Sequence, residues 1–304
     1  MEKTFTVNRD GLDISCLLAA PEGEARGLVY ISHGMIEMKE RYLPLMRHLA
    51  GRGYACQIHD QRGHGQSVKS PSDLGYLYRD GARALPRDVA DMCAMLKTQY
   101  PGKKLCLIGH SMGSLVSLSC LKQYSGSFDA LLLSGCPAPN PAAGPGMAMV
   151  KAMKLIKGER YRSRMLENIM FGPYQKRFTP RSTYNWINTD PAEVRLHETD
   201  PAMNYSFTLN GCEALLGLMR FDYDKTPFRP RDPRLPILFL AGEDDPCIGS
   251  PAQLRAVADR LQKDGYQDVP VKVYPGVRHE IFRAPEKEVV FSDVDAFLGR
   301  ALGV

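Results

Sequence analysis

The segment Gly109-His110-Ser111-Met112-Gly113 follows the apolar run Leu105-Cys106-Leu107-Ile108 and runs straight into Ser114-Leu115-Val116-Ser117-Leu118. A buried strand must therefore turn sharply into a helix at a serine. Backbone atoms crowd such a turn, and glycine on either flank avoids the collision a side chain would make. Ser111 is left projecting outward at a helix N-terminus. There a free N–H and the positive end of the helix dipole can stabilise the oxyanion of acyl transfer.

The chain around this turn alternates strand and helix. A hairpin at Asp10-Gly11 comes first, then apolar strands over 27–32, 54–59, 105–108 and 130–134, with helices over 42–51, 85–100 and 112–124 between them. The rhythm breaks near Cys136, where Pro137, Pro139, Pro141 and Pro145 make an abrupt exit into strand-poor, helical sequence. It resumes after Pro227-Phe228-Arg229-Pro230 with strands over 237–241 and 271–274 and helices over 251–263 and 285–302. This pattern predicts an α/β fold with a mostly parallel central sheet flanked by helices. Residues 1–135 and 231–304 form the core, and 136–230 an inserted helical cap. Ligands of such sheets bind beyond the C-terminal strand ends, where Ser111 lies.

A serine hydroxyl needs a base, and the base needs an orienting acid. Gly242-Glu243-Asp244-Asp245-Pro246 follows one late strand and Gly276-Val277-Arg278-His279-Glu280 the next, so both reach the sheet edge that carries Ser111. The order Ser, Asp, His is that of the α/β-hydrolase arrangement. His279 is the candidate base and Asp245 the candidate acid, with Asp244 and Glu243 as rivals. The turn at His33-Gly34-Met35 supplies a second backbone donor, so the amides of Met35 and Met112 are the candidate oxyanion hole. The side chains of Met35, Met112, Cys136, Met149 and Met153 are candidate substrate contacts.

Composition narrows the alternatives. A net charge of +5 with interspersed signs gives no nucleic-acid signature, and no apolar run approaches a membrane span. The N-terminus lacks the apolar core of a secretory signal, and eight cysteines without a C-x-x-C pair read as reduced core residues, which predicts a cytoplasmic protein. His59, His64 and His110 lack metal-ligand spacing, and Gly63-His64-Gly65 is too short for a dinucleotide loop, so neither metal nor organic cofactor is expected. Arg62 is expected to brace its loop by pairing with Asp60. The stretch Met147–Lys157 predicts a basic amphipathic helix with Met149, Val150, Met153 and Ile156 on one face. That face packs on the core or meets a membrane or acyl chain. The oligomeric state is not readable.

With His33-Gly34-Met35, Glu40-Arg41-Tyr42, Asp60-Gln61-Arg62-Gly63-His64-Gly65-Gln66-Ser67, the serine turn, Gly242–Pro246 and Arg278-His279-Glu280, the chain resembles the monoacylglycerol lipase and lysophospholipase-like branch of the α/β-hydrolases. The resemblance implies serine hydrolysis of acyl esters and places the acid at Asp245. It departs at Met38, beside the oxyanion loop, where family members often carry histidine. The same branch holds small-ester carboxylesterases and aminopeptidase-like relatives, and a non-catalytic ligand receptor on this fold is the remaining alternative.

Overall fold

The computed structural model describes residues 1–179 and 182–304; Pro180 and Arg181, inside the expected cap, lie outside the described residues. The hairpin strands β1 (Glu2–Arg9) and β2 (Leu12–Ala19) turn at Asp10-Gly11, both with positive φ, as a two-residue loop matched to strand twist requires. The remaining strands are β3 (Gly27–Ser32), β4 (Tyr54–His59), β5 (Leu105–His110), β6 (Ala130–Ser134), β7 (Ile237–Gly242) and β8 (Val271–Tyr274). They make one eight-stranded sheet in the order β1-β2-β4-β3-β5-β6-β7-β8, parallel from β4 to β8. Strands β3 to β7 are buried along their whole length, which is why they read as unbroken apolar runs without alternation.

Helices α1 (Leu43–Gly51), α2 (Gly81–Gln99) and α3 (Met112–Gln123) fill the crossovers before β6. Helix α2 starts four residues ahead of the sequence expectation and runs through Pro86. Between β6 and β7 lie α4 (Ala143–Lys157), α5 (Arg164–Gln175), α6 (Pro191–Thr199) and α7 (Leu209–Asp222). Last come α8 (Pro251–Lys263) and α9 (Lys287–Leu302). One face of the sheet packs on side chains of α2, α3 and α8, the other on α1 and α9.

Helix α4 departs from the expected face. It buries Ala143, Met147 and Val150, one turn apart, whereas Leu155 and Ile156 are 90% and 79% exposed. The apolar stripe thus leaves the core before the helix ends. Arg62 also differs from expectation, pairing with Asp88 and Asp10 while Asp60 takes Lys39. All eight cysteines are free, and seven are buried. No helix among the described residues is long and apolar enough to cross a membrane.

Candidate active site

Ser111 occupies the turn between β5 and α3 with φ 53° and ψ −120°, a backbone conformation that L residues rarely adopt. Two close approaches hold it there. A Cβ on Gly113 would sit 2.0 Å from the Ser32 carbonyl oxygen, and one on Gly109 would sit 2.5 Å from that of Gly113. Only glycine lets the first turn of α3 press against the end of β3. The Ser114 hydroxyl locks the turn by donating to the carbonyls of Gly109 and Ser134, each at 2.9 Å.

That contact brings the loop after β3 beside the serine. Glu37 Oε2 accepts from the Gly34 amide at 2.6 Å and the Tyr42 hydroxyl at 2.9 Å. His33 Nε2 accepts from the Gln61 amide at 2.8 Å, so its proton sits on Nδ1 and is donated to the Gly34 carbonyl at 2.7 Å. The loop beginning at Asp60 thereby sets the conformation of Gly34-Met35. Met112 is the first residue of α3, and its N–H has no carbonyl a turn earlier in the helix to serve.

Asp245 follows β7 and His279 follows β8. His279 Nδ1 donates to Asp245 Oδ2 at 2.8 Å, and Asp245 Oδ1 accepts from the Cys247 amide at 2.8 Å. A carboxylate only accepts, so the His279 proton is on Nδ1 and the Nε2 lone pair is free to act as a base. Burial alone would lower the basicity of His279, but the Asp245 charge and hydrogen bond outweigh it and the pKa lies above its ordinary 6.5. The neighbouring His110, 4.8 Å away between ring centres, is pushed down to about 4 by burial and stays neutral.

Ser111, His279, Met35 and Met112 line one cavity of about 150 Å³. Cys136, Met149 and Met153 are not among its lining residues: Cys136 is wholly buried with its thiol against the Tyr223 hydroxyl, and the two methionines pack on the core. The helical spacing behind that expectation says which residues share a face, and not what the face meets.

The cavity wall instead draws on residues the sequence reading left unassigned. Trp186, the chain's only tryptophan, lies 5.1 Å from the His279 ring and stacks on Phe171. Glu280, next to His279, accepts from Arg41 and binds His197 of α6 at 2.9 Å. Cys247 lines the same cavity as Ser111 and Tyr174, and burial pushes its thiol pKa well above the usual value. Asp245, Cys247 and His279 present potential metal-ligand atoms within 4.8 Å of one another, with the His279–Asp245 hydrogen bond spanning two of the three. The lone tryptophan and the acidic neighbour of His279 were the available sequence signals.

A strained serine turn after a central parallel strand, with a carboxylate after β7 and a histidine bonded to it after β8, one strand further across the sheet, is the arrangement of an α/β-hydrolase. The family model described as serine aminopeptidase, S33 (Hydrolase_4) matches residues 23–286, and the chain belongs to that family. It is 27% identical over 289 residues to a monoacylglycerol lipase of Mycolicibacterium smegmatis, covering 91% of this chain and 90% of the relative. It is 26% identical over 299 residues to the human monoglyceride lipase, covering 97% and 89%. A carboxyl esterase from Bacillus coagulans, crystallised with glycerol, superposes with a TM-score of 0.89 at 22% identity, over 99% of both chains. Family and relatives together place the chain among hydrolases similar to the monoacylglycerol lipases.

Proposed function

We propose that this protein cleaves monoacylglycerol-type carboxylic esters through an acyl-Ser111 intermediate, with His279 as general base and Asp245 as its orienting acid. The observation that carries this reading is the 2.8 Å His279–Asp245 bond in the wall that also bears the strained Ser111. Ser111 Oγ attacks the ester carbonyl as its proton passes to His279 Nε2. The amides of Met35 and Met112 receive the oxyanion, an interaction worth about 10²–10³ in rate per donor. Collapse expels the alcohol, which takes the proton from His279. Water, deprotonated by the same nitrogen, then releases the acid. No step calls for a cofactor.

Residues 136–230 act in this reading as a cap over the site. Leu115, Leu215, Leu216, Met170 and Met219 form an apolar wall suited to an acyl chain. Leu155, Ile156, Met165 and Ile169 stand exposed among Lys151, Lys157 and Arg164, a surface suited to an anionic lipid bilayer. The cytoplasm fits its free cysteines.

Exposing wild type to a panel of monoacylglycerols, p-nitrophenyl esters and aminoacyl amides, followed by intact-mass analysis, tests the reading. The expected result is an acyl adduct on Ser111 that is absent from Ser111→Ala, together with loss of turnover in that variant. A preference for aminoacyl amides would assign the chain to peptide chemistry, and unaltered turnover by Ser111→Ala would refute the mechanism.

A further inference from the structure

Among the described residues, no lysine or arginine lines the cavity, whereas Glu37, Glu167 and Glu280 do. Two of these carboxylates share one guanidinium behind the wall. Arg41 Nη2 lies 2.8 Å from both Glu280 oxygens, and Arg41 Nε lies 3.6 Å from Glu37. Glu167, on α5, differs: it accepts the Ser206 hydroxyl at 2.7 Å and forms no ion pair among the described residues. Among the described residues, then, its carboxylate lines the cavity without a counter-ion.

His197 is buried on the same wall and turns Nε2 to Glu280 at 2.9 Å, while its Nδ1 is itself sealed from the cavity and has no hydrogen-bond partner among the described residues. The unmet capacity of this wall is therefore the negative charge of Glu167. The Leu115, Leu215, Leu216 and Met219 wall has no polar side chain to offer and suits the acyl chain.

We infer that the wall around Glu167 receives the alcohol half of the ester and filters it by charge, admitting neutral or cationic alcohols that donate hydrogen bonds and rejecting those that carry a phosphate or carboxylate. The inference rests on the ester-hydrolase reading above and adds to it which head groups are turned over. An anion held near Glu167 in a poorly solvated cavity is repelled far more than it would be in water, whereas a glycerol hydroxyl finds an acceptor.

The test compares kcat/KM for octanoylglycerol, octanoylglycerol 3-phosphate and octanoylcholine, all below their aggregation concentrations. Wild type is expected to disfavour the phosphate ester by at least tenfold against the neutral ester, about 1.4 kcal/mol, and to accept the choline ester. Raising the salt concentration should narrow that gap. In Glu167→Gln the neutral-to-phosphate ratio should fall at least fivefold, and Glu167→Lys should lower it further; being a ratio, it is insensitive to partial loss of folded enzyme. Equal turnover of all three esters, or a ratio unmoved in both variants, overturns the charge filter while leaving the hydrolase reading intact. No turnover of any ester, with no fluorophosphonate labelling of Ser111, overturns both.

Discussion

Arg41 joins the two halves of the candidate site: its guanidinium holds Glu280, the neighbour of His279, and also reaches Glu37, which fixes the Gly34 amide. Arg41 and Glu280 are each only 4% exposed, so neither charge has water to fall back on. Replacing Arg41 with methionine strands two buried carboxylates. The expected cost is about 3–5 kcal/mol in stability, read as a lowered urea midpoint; an unchanged midpoint would show that the pair is dispensable.

The same cluster sets an acid limit. Burial opposes ionisation of Glu280, but Arg41 and His197 outweigh it, and its pKa lies below the ordinary 4.5. A depressed carboxyl contributes stability that is fully present above its unfolded pKa and is lost as pH falls towards the folded one. Stability of the wild type should therefore decline below about pH 4.5, and Glu280→Gln should show a shallower decline in urea titrations between pH 5 and pH 3. Equal slopes would remove Glu280 from the account.

Catalysis has its own pH signature. In the proposed mechanism only neutral His279 accepts the Ser111 proton, and its pKa is raised above 6.5 by Asp245 against the effect of burial. The profile of kcat/KM should rise with pH through an inflection above 6.5, and Asp245→Asn should move that inflection down while cutting the rate by about 10⁴. An inflection unmoved by this substitution would separate Asp245 from the base.

The strands and the serine turn were legible because their cause is local. Strands β3, β4, β6 and β8 and helix α8 fall where apolar runs and their Gly, Pro or Ser flanks place them. What could not be read was the partner of each side chain. Arg62 stands two residues from Asp60 yet pairs with Asp88, because Asp60 is consumed by Lys39 and the Gln66 amide. Met149 and Met153 obey helical spacing, but the direction of α4 turns them to the core. Trp186 meets His279 from 93 residues away in sequence, a distance over which periodicity carries no information.

The glycine of the serine turn admits a direct test. Gly113→Ala places a methyl 2.0 Å from a backbone oxygen and should cost about 3 kcal/mol or more. Gly144→Ala, in α4 with nothing within 4 Å of the added carbon, should instead stabilise by about 0.5–1 kcal/mol. Thermal melts of the two variants should move in opposite directions.

Asp222 is a buried carboxyl away from the site. Its Oδ1 accepts the Ser119 hydroxyl at 2.7 Å, its Oδ2 has no hydrogen-bond partner, and burial drives its pKa well above 3.8. Stability from a raised carboxyl is present below the unfolded pKa and lost as pH rises through the folded one. Asp222→Asn should therefore be neutral or stabilising by about 1 kcal/mol at high pH, and its melting temperature should vary less with pH than that of wild type.

Arg278 donates through one nitrogen to Asn185 and Asn188, and the Glu280 amide donates to the Ile187 carbonyl at 2.8 Å. The residues on either side of His279 are thus sewn to a short stretch of the insert. If residues 136–230 act as the proposed cap, one that swung away whole would slacken His279, so the expected substrate route runs past other parts of that segment while 185–188 stays docked. For protein engineering, this means that the region between β6 and β7 is no interchangeable attachment: a chimera that imports a foreign one must bring its own splint for the imidazole.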